Sequence, residues 1–514
     1  MTVAIAARGI PDAAALVVCG SGVQMIRRQY VRIGAAALIG LGTIALGIYV
    51  AMATVPFSML TLNSPKLAFA GVTGQTWPGV RQYVLTFGLP ILLYAAGFAV
   101  LRRWPVSATV VFAFPVLFTV ALFFVYPLTA LDVFLYGAQG WTLAQRGANP
   151  LVVPPNTFAG NPFLAWAPYI HKPTSYGPVW MYVSAMAVSL GGGHPLGTVL
   201  LFKLIVAAAF LAATMLCYAI AERVDPGTGV LAAYALGWNP LALWATVADG
   251  HNDMAMVLLI LLACLCLFDR PLLAFVPLVI AGMLKLAAFL LLPVFVVHVL
   301  RRRYSVLRVA VWLAIAAGCG WLVLWPLWVG SATVTATSNQ LQHMIGMSPA
   351  ATMILWGEAW GYSRDAAEQA TKYMLLALFA ATYVAILLTV NKRIESTLAA
   401  SFGVLFTALI VATFWFRFWY IVWPLALAAV LMRKYKWLAT AGIVFSAVGP
   451  FVYLFTDYLW VWYGTGRRLH DYLMVTVFLP PLLVLAAGSV AALARRTRRG
   501  SPPQYAGAKP AAVS

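Results

Sequence analysis

The sequence predicts an all-α polytopic membrane protein, and three observations carry that prediction. Of its 514 residues, 63% are hydrophobic and 9% charged, with a mean hydropathy of +0.90, whereas about a quarter of a water-soluble chain is charged. Apolar runs of about 18 or more residues recur along the chain, the length a bilayer-spanning helix requires. Such continuous runs exclude a β-barrel, whose short strands alternate. The net charge of +20 falls in short clusters at the ends of apolar runs: Arg27-Arg28, Arg102-Arg103, Arg301 to Arg303, Lys392-Arg393, Arg433-Lys434, Arg495-Arg496 and Arg498-Arg499. That is the positive-inside pattern of cytoplasmic loops, and no nucleic-acid partner is expected.

Residues 1–32 read as a cytoplasmic tail. The first 26 hold one short apolar stretch and no secretory cleavage signal preceded by positive charge. A bundle of about 13–14 transmembrane helices follows over residues 33–493. Its spans lie near 33–56, 82–101, 106–128, 197–221, 228–247, 253–268, 270–284, 286–300, 306–329, 373–390, 395–414, 419–432, 437–455 and 472–493. Residues 176–191 are also apolar, but counting them as a span would move the later basic clusters outside. They are therefore read as a re-entrant or interfacial helix, an element tolerated where protein covers the backbone. Several segments are only 14–16 residues long, as helices lining a cavity often are. Outer loops then cover about 129–196, 330–372 and 456–471, with a shorter outer turn at 248–252. Residues 494–514 form a basic tail expected to be disordered and cytoplasmic. The five cysteines read as core packing rather than disulfides or metal ligands.

With both termini inside, eight of the thirteen acidic residues fall outside: Asp132, Asp249, Asp253, Glu358, Asp365, Glu368, Asp457 and Asp471. Asp132 follows the third span directly, where an ionisable group is costly unless paired or functional. A general base facing a lipid-borne substrate and a helix N-cap both fit it. The turn Asp249-Gly250-His251-Asn252-Asp253 holds four polar side chains where capping a helix needs one, so a polar site is expected there, with a metal site of Asp249, His251 and Asp253 the lesser alternative. Lys285, between two short apolar segments, can pair with a phosphate or snorkel to the interface, and Lys203 reads as snorkelling. Arg417, within Phe-Trp-Phe-Arg-Phe-Trp-Tyr, fits either an interfacial aromatic belt or a phosphate clamp. The amphipathic, Trp-bearing loop 330–372 fits a lid or a surface helix.

These residues together resemble a known family. The run Asp132 to Gly140, then Gly147-Ala148-Asn149-Pro150 and Ser175-Tyr176-Gly177-Pro178-Val179-Trp180, looks like the first outer loop of GT-C glycosyltransferases. Trp238-Asn239-Pro240, Gly250 to Asp253, the Lys285 segment and Trp419 to Trp423 narrow the likeness. They are similar to actinobacterial polyprenol-phosphate-mannose-dependent α-1,6-mannosyltransferases of the lipomannan type, over about residues 130–425. One departure is that Leu131 and Val133 flank Asp132 where the family often has a second polar residue, which leaves Asp132 as the single candidate base. The resemblance implies a GT-C-like bundle in the plasma membrane with its site facing the exterior. It further implies a polyprenyl-phosphate sugar donor, a glycan or glycolipid acceptor and an inverting reaction. Lys285, Arg417 and His251 would hold the donor phosphate. Tyr136, Tyr176, Trp180, Asp249, Asn252 and Asp253 would contact substrate; Trp141, Tyr176 and Trp180 suit stacking on sugars and core packing equally well. The leaving group is already a stable phosphate anion, so no metal or other cofactor is expected. The rival reading is a transporter or flippase of lipid-linked saccharides, for which internal helix repeats would be the mark; no convincing repeat is found.

Overall fold

The computed structural model describes residues 20–54, 57–61, 68–335, 345–464 and 466–500. Among them the chain is helical, with two isolated backbone bridges and no β-strand. Eight helices are long and apolar enough to cross a membrane, beginning with Arg28–Thr54 and ending with Arg467–Ala494. A ninth is broken: Gly229–Gly237 and Pro240–Ala248 meet at 53°. The break explains Trp238-Asn239-Pro240 in structural terms. Asn239 caps the second half through Ala242 N at 3.1 Å, and its amide donates to Ser446 Oγ at 2.8 Å. Pro240 takes the first helical position, where a missing N–H is harmless.

The other five expected spans are shorter helices: Ala108–Phe123, Asp253–Asp269, Phe275–Leu284, Leu286–Arg301 and Phe418–Val430. At about 1.5 Å per residue the ten-residue Phe275–Leu284 reaches only ~15 Å, half a hydrocarbon layer. Such a half-helix can end at membrane depth only where neighbours cover its backbone. Leu278, Ala281 and Leu284 are buried accordingly. By contrast, the helix Arg364–Thr389 has only 11% of its apolar window buried, and its exposed Leu376, Leu378 and Leu388 are suited to acyl chains.

The structure adds detail to these expectations. Within residues 129–196, Asp132–Arg146 and Pro178–Leu190 are helices packed together, the second falling where a re-entrant or interfacial helix is expected. Residues 456–471 are mostly helical too, because the preceding helix runs to Tyr463 and the next starts at Arg467. Both ends extend further than hydropathy suggested: the first helix begins at Gly20 and the last continues to Gly500, through strong helix formers such as Ala and Arg. The N-terminal tail before residue 20, the tail beyond 500 and residues 336–344 of the lid segment lie outside the described residues. Lys203 does not snorkel. It is fully buried, and its Nζ donates to the Val125 carbonyl. Cys217, Cys264, Cys266 and Cys319 are free thiols.

Candidate active site

Three backbone breaks meet at one end of the bundle. The first is the start of the helix Asp132–Arg146, entered by a non-helical segment whose Thr129 is held by Asp249. The Asp249 carboxylate accepts from Thr129 N at 3.2 Å and from its hydroxyl, and Trp244 Nε1 donates to the same hydroxyl at 3.0 Å. The second is the turn after Trp244–Ala248, which widens to a π-helical turn as Asp249 N reaches back to Trp244 O at 3.0 Å. Such turns recur at functional sites. Gly250 then adopts φ +77°, the left-handed conformation that favours glycine, and this swings His251 towards Asp132. The third is the stretch Thr413–Arg417, between a π-turn and the helix Phe418–Val430.

Asp132 lies at the centre. Its side chain is 17% exposed, Tyr176 OH donates to Oδ1 at 3.3 Å, and His251 Nε2 stands 3.6 Å from Oδ2. On the other edge of the ring, Nδ1 lies 3.3 Å from Tyr136 OH and 3.7 Å from Asp253 Oδ2. The indole of Trp419 stacks on the imidazole at 3.9 Å. Asp253 Oδ1 accepts from Lys285 Nζ at 2.6 Å and from Trp423 Nε1 at 2.5 Å. The Lys285 ammonium also stands 4.8 Å from the centre of the Tyr420 ring and 5.3 Å from that of Trp423. Arg417 is packed over Trp415 at 4.0 Å, with Met347 Sδ at 3.3 Å and Tyr453 OH at 3.5 Å. Among the described residues its guanidinium has no carboxylate in an ion pair.

Electrostatics separate the roles. Burial raises the Asp132 carboxyl above its ordinary range, and the Arg417 and Lys285 charges oppose that rise. Burial, reinforced by Lys285 and Arg417, pushes His251 well below the usual imidazole value. His251 is therefore a neutral ring that offers one N–H, rather than a cation for a phosphate. Asp132 keeps an open edge and two neighbouring cations, the chemistry expected of a carboxylate base.

The structure brings Asp132, Tyr136, Tyr176, His251, Asp253, Lys285 and Arg417 together, but not all in the expected manner. Asp249 is 1% exposed and bound to Thr129, so it holds the backbone before Asp132 rather than facing substrate. Tyr136 is fully buried, with its hydroxyl turned to His251. Trp180 is 1% exposed and packs on Tyr136 and Phe202, with no face free for a sugar. Asn252 is fully buried beneath the turn. Trp141 has a guanidinium, Arg146, over its ring. Tyr453 and Met347, beside Arg417, are partners the sequence did not reveal; both lie far away in the chain and neither belongs to a recognisable motif. Among the described residues no group of three or more His, Cys, Asp or Glu side chains is placed to hold a metal ion.

No curated protein matches the chain. The family described as alpha-(1->6)-mannopyranosyltransferase, N-terminal domain, matches residues 16–301, more than half of the chain and the part that carries Asp132, Tyr176, His251, Asp253 and Lys285. The chain belongs to this mannosyltransferase family, on an all-helical, multi-pass membrane framework.

Proposed function

We propose that this protein transfers mannose from a polyprenyl-phosphate donor to a hydroxyl of a glycan or glycolipid acceptor, at the outer face of the plasma membrane and with inversion. The observation that carries the reading is the partly open Asp132 carboxylate, held by Tyr176 and His251 beside the two cations Arg417 and Lys285. Asp132 takes the proton of the acceptor hydroxyl as its oxygen attacks the mannose anomeric carbon. The bond from that carbon to the phosphate oxygen breaks, and polyprenyl phosphate leaves with the electron pair. Attack opposite the leaving group turns a β-linked donor into an α-linked product. General-base assistance of this kind contributes typically 10²–10⁴-fold.

Arg417 is the first choice for the phosphate, because its guanidinium is not engaged by a carboxylate and matches phosphate oxygens in pairs. Lys285, already paired with Asp253, adds charge from the side. Tyr176 reaches both Asp132 and the space before it. His251, Tyr136 and Asp249 act by positioning. The outer-face assignment is supported by how charges pair: Arg223–Asp269, Arg433–Asp225 and Lys434–Glu395 join groups read as inner, whereas Arg364–Glu358, Lys372–Glu368, Arg467–Asp471 and Lys285–Asp253 join groups read as outer.

The test is turnover by the purified full chain in nanodiscs, supplied with β-mannosyl phosphopolyprenol and an α-mannoside. The expected result is an elongated mannoside and polyprenyl phosphate in equal amounts. No transfer from any polyprenyl-phosphate sugar, together with transbilayer movement of a lipid-linked glycan, would assign the site to a flippase.

A further inference from the structure

A second concavity, among the described residues, is lined by none of the residues around Asp132. It has a volume of about 670 Å³, within the range of small-ligand sites, and its walls come from four stretches distant in sequence. Arg223 enters from the end of the helix Pro195–Val224, Arg301 to Arg303 from the end of the helix Leu286–Arg301 and the turn after it, and Lys392 and Arg393 from the turn before Ile394. Phe268 and Ile394 contribute apolar surface.

The charge in this cavity is not neutralised by the protein. Arg223 is paired with Asp269 at 2.7 Å, and the one acid in the wall, Glu395, is paired with Lys434 at 3.3 Å. Arg301, Arg302, Arg303, Lys392 and Arg393 form no ion pair among the described residues. Arg302 is held in place by a hydrogen bond to the Leu267 carbonyl at 2.8 Å. Five unpaired cations around one hollow repel one another, so a polyanion is the fitting occupant. Arg303 also has φ +65°, an unusual conformation for a residue with a side chain.

Position identifies the kind of polyanion. Asp253, in the candidate active site, opens a helix of 17 residues whose other end carries Phe268 in this wall; at about 1.5 Å per residue the two sites lie roughly 25 Å apart. That is close to a hydrocarbon thickness of about 30 Å. The cavity therefore sits at the opposite membrane boundary, level with lipid headgroups. Guanidinium groups bind phosphate oxygens in pairs, and the apolar patch suits a glycerol backbone or the start of an acyl chain. We infer that this cavity binds the headgroup of a lipid carrying two phosphodiesters, from the leaflet facing away from the active site. The inference does not depend on the proposed sugar transfer.

The probe is cardiolipin, added to the purified full chain and followed by native mass spectrometry against phosphatidylcholine. Three proteins are compared: the natural chain, a cavity variant carrying Arg301→Gln, Arg303→Gln and Lys392→Gln, and a control carrying Arg28→Gln, Arg102→Gln and Arg103→Gln. The control loses the same charge elsewhere. Retention is expected to be unchanged in the control and to fall on the order of a hundredfold in the cavity variant, at roughly fivefold per cation. Circular dichroism and thermal unfolding establish that all three are folded. Equal loss in the control, no retention by the natural chain, or displacement of the lipid by soluble pyrophosphate at millimolar concentration would each overturn the inference, the last in favour of a free-anion site.

Discussion

At the scale of single residues, four charges share a crowded space: Asp132, Asp253, Lys285 and Arg417. Asp132 must be ionised to accept a proton, and burial works against that while Arg417 works for it. A carboxyl with a raised pKa loses its charge at a higher pH than usual, so kcat/KM should fall on the acid side above the ordinary carboxylate range. Arg417→Gln removes an opposing charge and should shift that limb to still higher pH, besides raising KM for the donor. An acid limb unmoved in Arg417→Gln would mean that another group controls it. The buried pair makes a second prediction. Lys285 and Asp253 are 15% and 2% exposed at 2.6 Å, and removing one partner of such a pair costs roughly 3–5 kcal/mol. Lys285→Met should therefore destabilise strongly, and adding Asp253→Asn should restore much of the loss, as measured by denaturant unfolding in detergent. Additive losses in the double variant would show that the pair is not coupled. None of this pairing was legible in the sequence. Lys285 and Asp253 are 32 positions apart, and hydropathy does not say which helix ends are neighbours.

Elements explain the motifs. Tyr176-Gly177-Pro178 reads as a recognition string in the sequence, yet each member has a mechanical role. Pro178 starts a helix, Tyr176 reaches Asp132, and Gly177 lies so close to the chain at Met283 that an added Cβ would stand 1.9 Å from the Met283 carbonyl oxygen. Gly177 N also donates to Leu284 O at 3.0 Å, next to Lys285. The string thus joins the Asp132 side of the site to the Lys285 side. Gly177→Ala should push these two segments apart and reduce turnover by about 10²-fold, the effect of a misplacement near 1 Å, while the protein still folds. Normal turnover would separate this contact from the geometry of the site. The spans themselves were readable, because long apolar runs have one stable outcome in a bilayer. Their half-length members, the π-turns before Asp249 and Thr413, and the burial of Lys203 were not. Those depend on what packs alongside, and a one-dimensional pattern does not contain it.

For the whole molecule, the account is one of two faces. Among the described residues the paired charges fall into two sets that do not mix, and the candidate active site and the basic cavity occupy opposite ends of the helix Asp253–Asp269. Sidedness can be read directly. In a background with the five cysteines replaced, Ser363→Cys should react with a membrane-impermeant maleimide in intact cells, and Ser305→Cys only after lysis; the reverse pattern would invert the topology. The central claim is that Asp132 is the base of mannosyl transfer, and the most direct measurement is turnover by Asp132→Asn beside the natural protein in the same nanodiscs. The account predicts a loss of at least about 10²-fold in kcat, with donor binding and thermal unfolding little changed. Full activity in Asp132→Asn would contradict it.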